Sequence, residues 1–387
     1  MVIIDFLTSA TLTNWVGKLL EALYNSIGNF GWTVVVFSIL LKLILSPLDI
    51  WQRISTKNQQ KKMEAIKPKL EKIEKQYKNN PDLLKQKQYE VQREAKINVF
   101  ATCLPLIVTM VVFFVVFGGF RALVTYENEL IVEELDQTYV EYMLDYNADK
   151  LTDAQKAEVD ITSWDALKAY CEDASNGIAT GFTEYSELAT ENPDKYSEMR
   201  DLLADTYEAH LEADRWLWVK NIFKSDTGTD VIPSVKSYTS SGVGGIGAAL
   251  DDTQTHTTYT NLTEPAALRL NKTKTWDIKN WNGYFILPFL SLLTSFLSTF
   301  IMQRNSAQTS VGTKEQQAQQ QKQMKVMTYT MPIMLAVFAM LYSAAFAIYY
   351  FISNIMATLT TLVVNLVMKL LDKRKATSNQ GNIIIDK

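Results

Sequence analysis

The sequence predicts an all-α polytopic membrane protein: five transmembrane helices, a cytoplasmic helical hairpin and a large acidic extracytoplasmic insertion. Three observations carry this. First, apolar residues gather in blocks at about 30–50, 99–124, 285–302, 326–342 and 344–368, although the mean hydropathy of the whole chain is only −0.05. Blocks of about 20 apolar residues are long enough to cross the hydrocarbon layer as helices. Second, the polar segments differ sharply in charge. Residues 51–98 carry 13 Lys/Arg against 6 Asp/Glu, whereas 126–280 carry 13 against 30. Third, the chain has only 2 Cys and 2 His. Cys103 lies in an apolar block and Cys171 in a polar one, so no disulfide framework or metal cluster is implied.

Residues 1–29 are read as an N-terminal interfacial amphipathic helix. Leu12, Trp15, Val16, Leu19, Leu20, Leu23, Tyr24 and Ile27 share one face, and Asn14, Lys18 and Glu21 make the stretch too polar to span. The opening MVIIDFLTSATL has no basic start, no long apolar core and no early cysteine for a lipid. The first spanning helix is therefore expected to act as an uncleaved targeting signal.

That helix is 30–50, FGWTVVVFSILLKLILSPLDI, with Lys42 at its middle. A lysine at that depth costs about 2.5–3.5 kcal/mol on insertion scales, so it usually faces water or a partner. Snorkelling is the alternative, over roughly 12 Å to the nearer end. No acidic residue in the span is read at helical spacing from Lys42, which points to a wet cavity.

Residues 51–98 form the basic helical hairpin. Met63, Ile66, Leu70, Ile73 and Tyr77 give it a narrow heptad stripe, Asn79-Asn80-Pro81 gives the turn, and Pro68 is expected to begin or kink the first arm. The second span is 99–124. The acidic insertion is 125–283. It is helical by composition to about 215, has an interfacial helix at 216–223 (WLWVKNIF), and continues as a Ser/Thr/Gly-rich loop over 225–264. The third span, 284–302, carries a hydroxyl stripe of Ser291, Thr294, Ser295 and Ser298, which suits either helix packing or a cavity wall. A cytoplasmic loop at 303–325, the fourth and fifth spans at 326–368, turning near Ser343, and a basic tail at 369–387 complete the chain. With five spans, the three basic segments share one side. Excess Lys/Arg in short loops marks the cytoplasm, which places the N-terminus outside and the C-terminus inside.

The apolar spans contain no histidine, no H-E-x-x-H and no G-x-S-x-G, which removes the usual signatures of an intramembrane hydrolase. A small-solute transporter using Lys42 as substrate counter-ion is the alternative function. The lack of visible inverted repeats weighs against it.

A set of motifs in fixed order carries a family resemblance. G-x-x-G-W-T at 28–33 precedes a span with Lys42 five residues before Pro47-Leu48. Then come IKPKLEKIEKQYKNNP at 66–81, Cys-Leu-Pro at 103–105, WLWVKNIF, YFILPFLSLLTSFL at 284–297, MKVMTYTMPIM at 324–334 and IYYFISNI at 348–355. This order resembles the YidC-type membrane protein insertases of the YidC/Oxa/Alb family. The resemblance covers roughly 11–125, 214–224 and 283–370. It leaves two insertions, about 126–213 and 225–282, without a counterpart.

The resemblance implies a multi-pass protein of the bacterial plasma membrane, with a groove that is open to the cytoplasm and to lipid and closed outside. It implies insertion and assisted folding of newly made membrane proteins, alone or beside the Sec translocon. It implies that neither nucleotide nor cofactor is used and that the chain is not an enzyme. The implied partners are nascent membrane-protein substrates, the Sec translocon, the ribosome and the lipid bilayer, and not DNA. Lys42 stands where the family usually has arginine, Thr109 where it often has glutamine, and Tyr350 where tryptophan is frequent. Ser38 and Ser46, four residues either side of Lys42, join Lys42 and Thr109 on the expected groove face. Thr294, Ser295 and Ser298 are the candidate groove residues of the third span.

Overall fold

The computed structural model describes residues 12–77, 79–96, 100–178, 181–242, 245–248, 250, 253–274, 276–304 and 314–385. The reading of the first 11 residues falls outside them. Among the described residues every regular element is helical, and the one β feature is an isolated bridge between Trp216 and Val219. Among the described residues, three helices are long and apolar enough to cross a membrane, within Phe30–Gln52, Met110–Ala148 and Ala344–Val367. At the other two expected positions lie shorter apolar helices, Ile286–Ile301 and Pro332–Leu341.

The chain divides into two compact units. One comprises the chain up to Thr33, Gly118–Ile286 and Met340–Phe346. The other comprises Val34–Phe117, Leu287–Ala339 and the chain from Ala347.

The first unit opens with α1 (Trp15–Ile27). Asn14 caps it by accepting from Val16 N at 2.9 Å and Gly17 N at 3.2 Å, which satisfies two orphan donors. Gly28 ends it at φ +74°, the left-handed value that glycine takes without cost. The apolar face is shared: Leu12, Val16 and Leu20 are buried, while Trp15 and Leu19 are exposed. α4 (Phe100–Ala148) continues unbroken past Leu123 into the acidic segment. Leu144, Ala148, Leu167 of α6 (Trp164–Glu172), Cys171 and Phe182 form a core there, after the single turn α5 (Asp153–Lys156). Next come α7 (Tyr185–Glu191) and α8 (Pro193–Asp214). α8 packs on α10 (Thr253–Leu270). Leu203 and Tyr207 of α8 and Tyr259, Leu262 and Ala266 of α10 are all buried.

Two expectations for this unit are corrected. The stretch read as a loop over 225–264 contains α9 (Val235–Thr239) and much of α10. The Thr-rich run of α10 has low helix propensity, and burial of one face overrides it. The predicted interfacial helix at 216–223 is not helical. Leu217 has φ +54°, which no continuing α-helix of L-residues allows. Its buried residues, Trp216, Val219, Ile222 and Phe223, happen to be spaced three and four apart, so the stretch mimics a helix in sequence.

In the second unit, α2 (Phe30–Gln76) runs continuously from the first apolar block into the basic hairpin. Pro68 therefore lies inside a helix instead of starting one. The carbonyl it frees, that of Glu64, belongs to an exposed residue that water can serve. Asn80 caps α3 (Pro81–Glu94), accepting from Leu83 N at 3.3 Å. Ile66 and Leu70 of α2 and Leu84 of α3 are buried, as the apolar stripe requires. α11 (Ile286–Arg304), α12 (Lys314–Leu341) and α13 (Ala344–Ile385) follow. The last two are separated only by Tyr342 and Ser343, at the expected turn.

Candidate functional site

Helical spacing places Phe30, Val34, Phe37, Ser38, Leu41, Lys42, Leu45, Ser46 and Asp49 along one side of α2. Burial along this side is graded. Phe30, Val34, Phe37 and Ser38 are buried, whereas Leu41, Lys42, Leu45, Ser46 and Asp49 are only half-buried. The opposite side, Trp32, Val36, Leu40, Leu43, Ile44 and Leu48, is exposed and apolar, as a lipid-facing surface should be. Lys42 thus sits on the protein side of α2, at the point where tight packing gives way to partial cover. A cation there can reach water.

The serines beside it behave differently from each other. Ser38 Oγ donates to Val34 O at 2.6 Å and is fully buried. Ser46 Oγ donates to Leu43 O at 2.8 Å and stays half-buried. Both spend their proton on their own helix and offer only acceptor lone pairs. Asp49, seven residues beyond Lys42, is on the same side, two turns away. This corrects the reading that no acidic residue in the span lies at helical spacing from Lys42. The side chain of Thr109, on α4, lies outside the described residues.

The hydroxyl stripe of α11 is turned to α13. Tyr350 Oη donates to Ser295 Oγ at 3.0 Å. Ser291 Oγ donates to Ala347 O at 3.3 Å, and Asn354 Nδ2 donates to Ser291 O at 3.3 Å. Ser298 is buried, while Thr294 is half-buried and donates to Leu290 O at 2.8 Å. Small polar residues let two apolar helices approach and bond through their backbones. Of the two readings of the stripe, helix packing therefore accounts for Ser291 and Ser295. Asn354 was not singled out from the sequence, although it falls on the same side of α13 as Ala347 and Tyr350.

The entry of α2 into the apolar layer is fixed in the first unit. Asp214, at the end of α8, accepts from Phe30 N at 2.9 Å and from Tyr24 Oη at 2.9 Å. Asn29 Nδ2 donates to Ala213 O at 2.9 Å. Burial pushes the Asp214 carboxyl above its ordinary value, against these bonds and the nearby His210, which pull it down.

The family profile described as "60Kd inner membrane protein" matches residues 22–152 and 202–373. It takes in the whole of 225–282 and less than half of 126–213, the two stretches that seemed to lack a counterpart, and leaves 153–201 between its two matches. Curated relatives carry the name "Membrane protein insertase YidC". One from Fusobacterium nucleatum is 36% identical over 111 residues, 29% of this chain and 52% of the relative. One from Caldanaerobacter subterraneus is 32% identical over 112 residues, again 29% and 52%. One from Prosthecochloris aestuarii is 30% identical over 142 residues, 37% of this chain and 24% of the relative. The aligned part spans about half the length of the first two relatives and a quarter of the third.

Proposed function

Because this chain belongs to the 60Kd inner membrane protein family, that of the YidC/Oxa/Alb insertases, we propose that it inserts newly made membrane proteins into a bacterial plasma membrane and assists their folding. The observation that supports this best is the place of Lys42, a half-buried cation on the protein side of an otherwise apolar helix, where cover by neighbouring side chains thins out.

The physics of the task suits that arrangement. A substrate helix is apolar, but its flanking tail is polar, and moving it bare through hydrocarbon leaves its polar groups unsatisfied. A wet groove part of the way across shortens the apolar path. In this reading Lys42 attracts an acidic tail, Ser46 supplies an acceptor on the same side of α2, and Thr109 is the groove residue proposed from α4. Ser38 closes the packed end. Ser295, Ser298 and Tyr350, with Thr294 at the edge, hold the wall formed by α11 and α13. The substrate helix then leaves sideways into lipid. Every step is non-covalent, so no nucleotide or cofactor is needed. Five spans, a cytoplasmic basic hairpin, an outer N-terminus and an inner C-terminus complete the proposal. The hairpin and tail would face the ribosome, and the lipid-facing side could abut the Sec translocon.

Reconstitution tests this directly. A single-span substrate with an acidic N-terminal tail is translated in the presence of liposomes holding the purified chain. Protection of the tail from added protease is expected with the chain and not with empty liposomes. Equal protection in both would remove the proposed activity.

A further inference from the structure

We propose that loop residues 271–274 and 276–281, together with the turn 216–224, are a docking surface for anionic phospholipid headgroups, with Trp276 and Ile278 set among the headgroups and Lys220, Lys274 and Lys279 around them. This does not rest on the insertase reading, only on the apolar helices crossing the bilayer.

The level of the turn is fixed by what it holds. Trp216 lies so close to Gly31 that a Cβ there would come within 2.2 Å of its ring, and it stands edge-on to Trp32 at 6.2 Å. Phe223 meets Phe30 at 5.0 Å. Lys224 O accepts from Ala344 N at 2.7 Å, and Ile222 O from Ala345 N at 3.2 Å. Asp226, just beyond the turn, accepts from Tyr284 N at 2.8 Å through Oδ1 and from Phe285 N at 3.1 Å through its carbonyl. Three apolar helices begin at these residues, so the turn lies at the edge of the apolar layer.

The loop is tied to that turn. Lys220 N donates to Asn282 O at 3.1 Å, Asn221 N to Asn282 Oδ1 at 2.8 Å, and Lys220 Nζ to Lys279 O. From this base the loop presents Trp276, which is 82% exposed, and Ile278; Leu217 on the turn is exposed too. An indole left bare in water is unfavourable, while the headgroup region is where tryptophan is enriched. Charge selects the surface further. The acidic segment 126–280 carries 13 Lys/Arg against 30 Asp/Glu, yet its last ten residues carry three Lys against one Asp. An acidic domain is repelled by an anionic leaflet, so a contact there needs local cations. Lys272 is engaged with Gly228 O and, at 3.9 Å, with Asp230, while Lys274 and Lys279 are exposed.

The test uses the full chain with Trp276→Cys in a Cys103→Ala background; Cys171 is buried and escapes labelling. A polarity-sensitive dye on position 276 is read in vesicles of phosphatidylcholine alone or mixed with phosphatidylglycerol, each with or without headgroup-region spin-labelled lipid. The expected result is blue-shifted emission quenched by the spin label, more strongly with phosphatidylglycerol. That extra quenching should weaken with salt. It should largely disappear in Lys274→Gln/Lys279→Gln, since each lysine near an anionic surface is worth about a fivefold preference. Both substitutions are at exposed positions, and an unchanged melting transition checks the fold. Water-like, unquenched emission in both lipids would overturn the proposal. So would quenching indifferent to phosphatidylglycerol, or a blue shift that no lipid quencher touches, which would mean a protein covers the patch.

Discussion

At the scale of single residues, the proposed groove rests on Lys42, while Asp214 bonds to Phe30 N and Tyr24 Oη at the start of α2. Lys42→Ala should slow insertion of substrates with acidic translocated tails by roughly tenfold, about 1.4 kcal/mol, below what a close pair would give at intermediate dielectric because the site is half-open. Lys42→Arg should retain most of the rate, since it keeps the charge. Protease-protection rates for the three proteins measure this, and an unimpaired Lys42→Ala would detach the charge from the mechanism. Asp214 predicts a stability effect with a definite sign. Its folded-state value is raised, chiefly by burial. Protonation is thus favoured by folding, fully below the unfolded value and no longer once pH rises through the raised one. The apparent melting temperature should therefore climb as pH falls through the interval just above the usual carboxylate range, and Asp214→Asn should flatten that climb. Asp214→Ala should lose about 1–3 kcal/mol at neutral pH, because Phe30 N and Tyr24 Oη lose their acceptor. A melt that ignores pH in the parent chain would contradict this.

At the scale of elements, the seat of α1 on α4 depends on one glycine and not on its neighbour. A Cβ at Gly119 would come within 2.4 Å of Val16 Cγ1, whereas at Gly118 it would meet only Asn14 Nδ2 at 3.8 Å. Helix propensity favours alanine over glycine at both positions by up to about 1 kcal/mol. Gly118→Ala should thus be neutral or stabilising, and Gly119→Ala should destabilise by about 1–3 kcal/mol through overpacking. Thermal unfolding of the pair isolates the contact, and equal behaviour would refute it. The same elements show what the chain's order makes legible. The apolar blocks and the turns at Asn80 and Ser343 are local signals, and they were readable. The turn at 216–224 was not, because its buried residues Trp216, Val219, Ile222 and Phe223 fall by chance at helical spacing. α10 was not readable either, since its helicity comes from packing on α8. In the candidate site, the side of α2 bearing Lys42, Ser38 and Ser46 followed from spacing alone. The bonds from Tyr350 and Asn354 to α11 depend on a helix pair distant in sequence, and no local pattern announces them.

At the scale of the whole molecule, the open quantity is the number of crossings, and two short helices decide it. Ile286–Ile301 spans about 24 Å at the helical rise, slightly less than the roughly 30 Å layer. The apolar part of α12, Pro332–Leu341, is shorter still, but α12 itself begins at Lys314. If both cross, residues 303–325, with four Lys/Arg and one Glu, share a side with the basic hairpin, as the positive-inside rule favours. If neither crosses, the same residues share a side with the acidic segment. Two single cysteines in a Cys103→Ala background separate these cases. Ser175→Cys lies at an exposed position in the part of the chain between the two family matches, and Ser306→Cys lies within the basic residues 303–325. With a membrane-impermeant maleimide on intact cells, position 175 should react at once and position 306 only after the membrane is opened. Reaction at both from outside would leave three crossings and no five-helix groove. Reaction at 306 alone would invert the protein. Only the first pattern lets Lys42 open toward the side on which new chains are made.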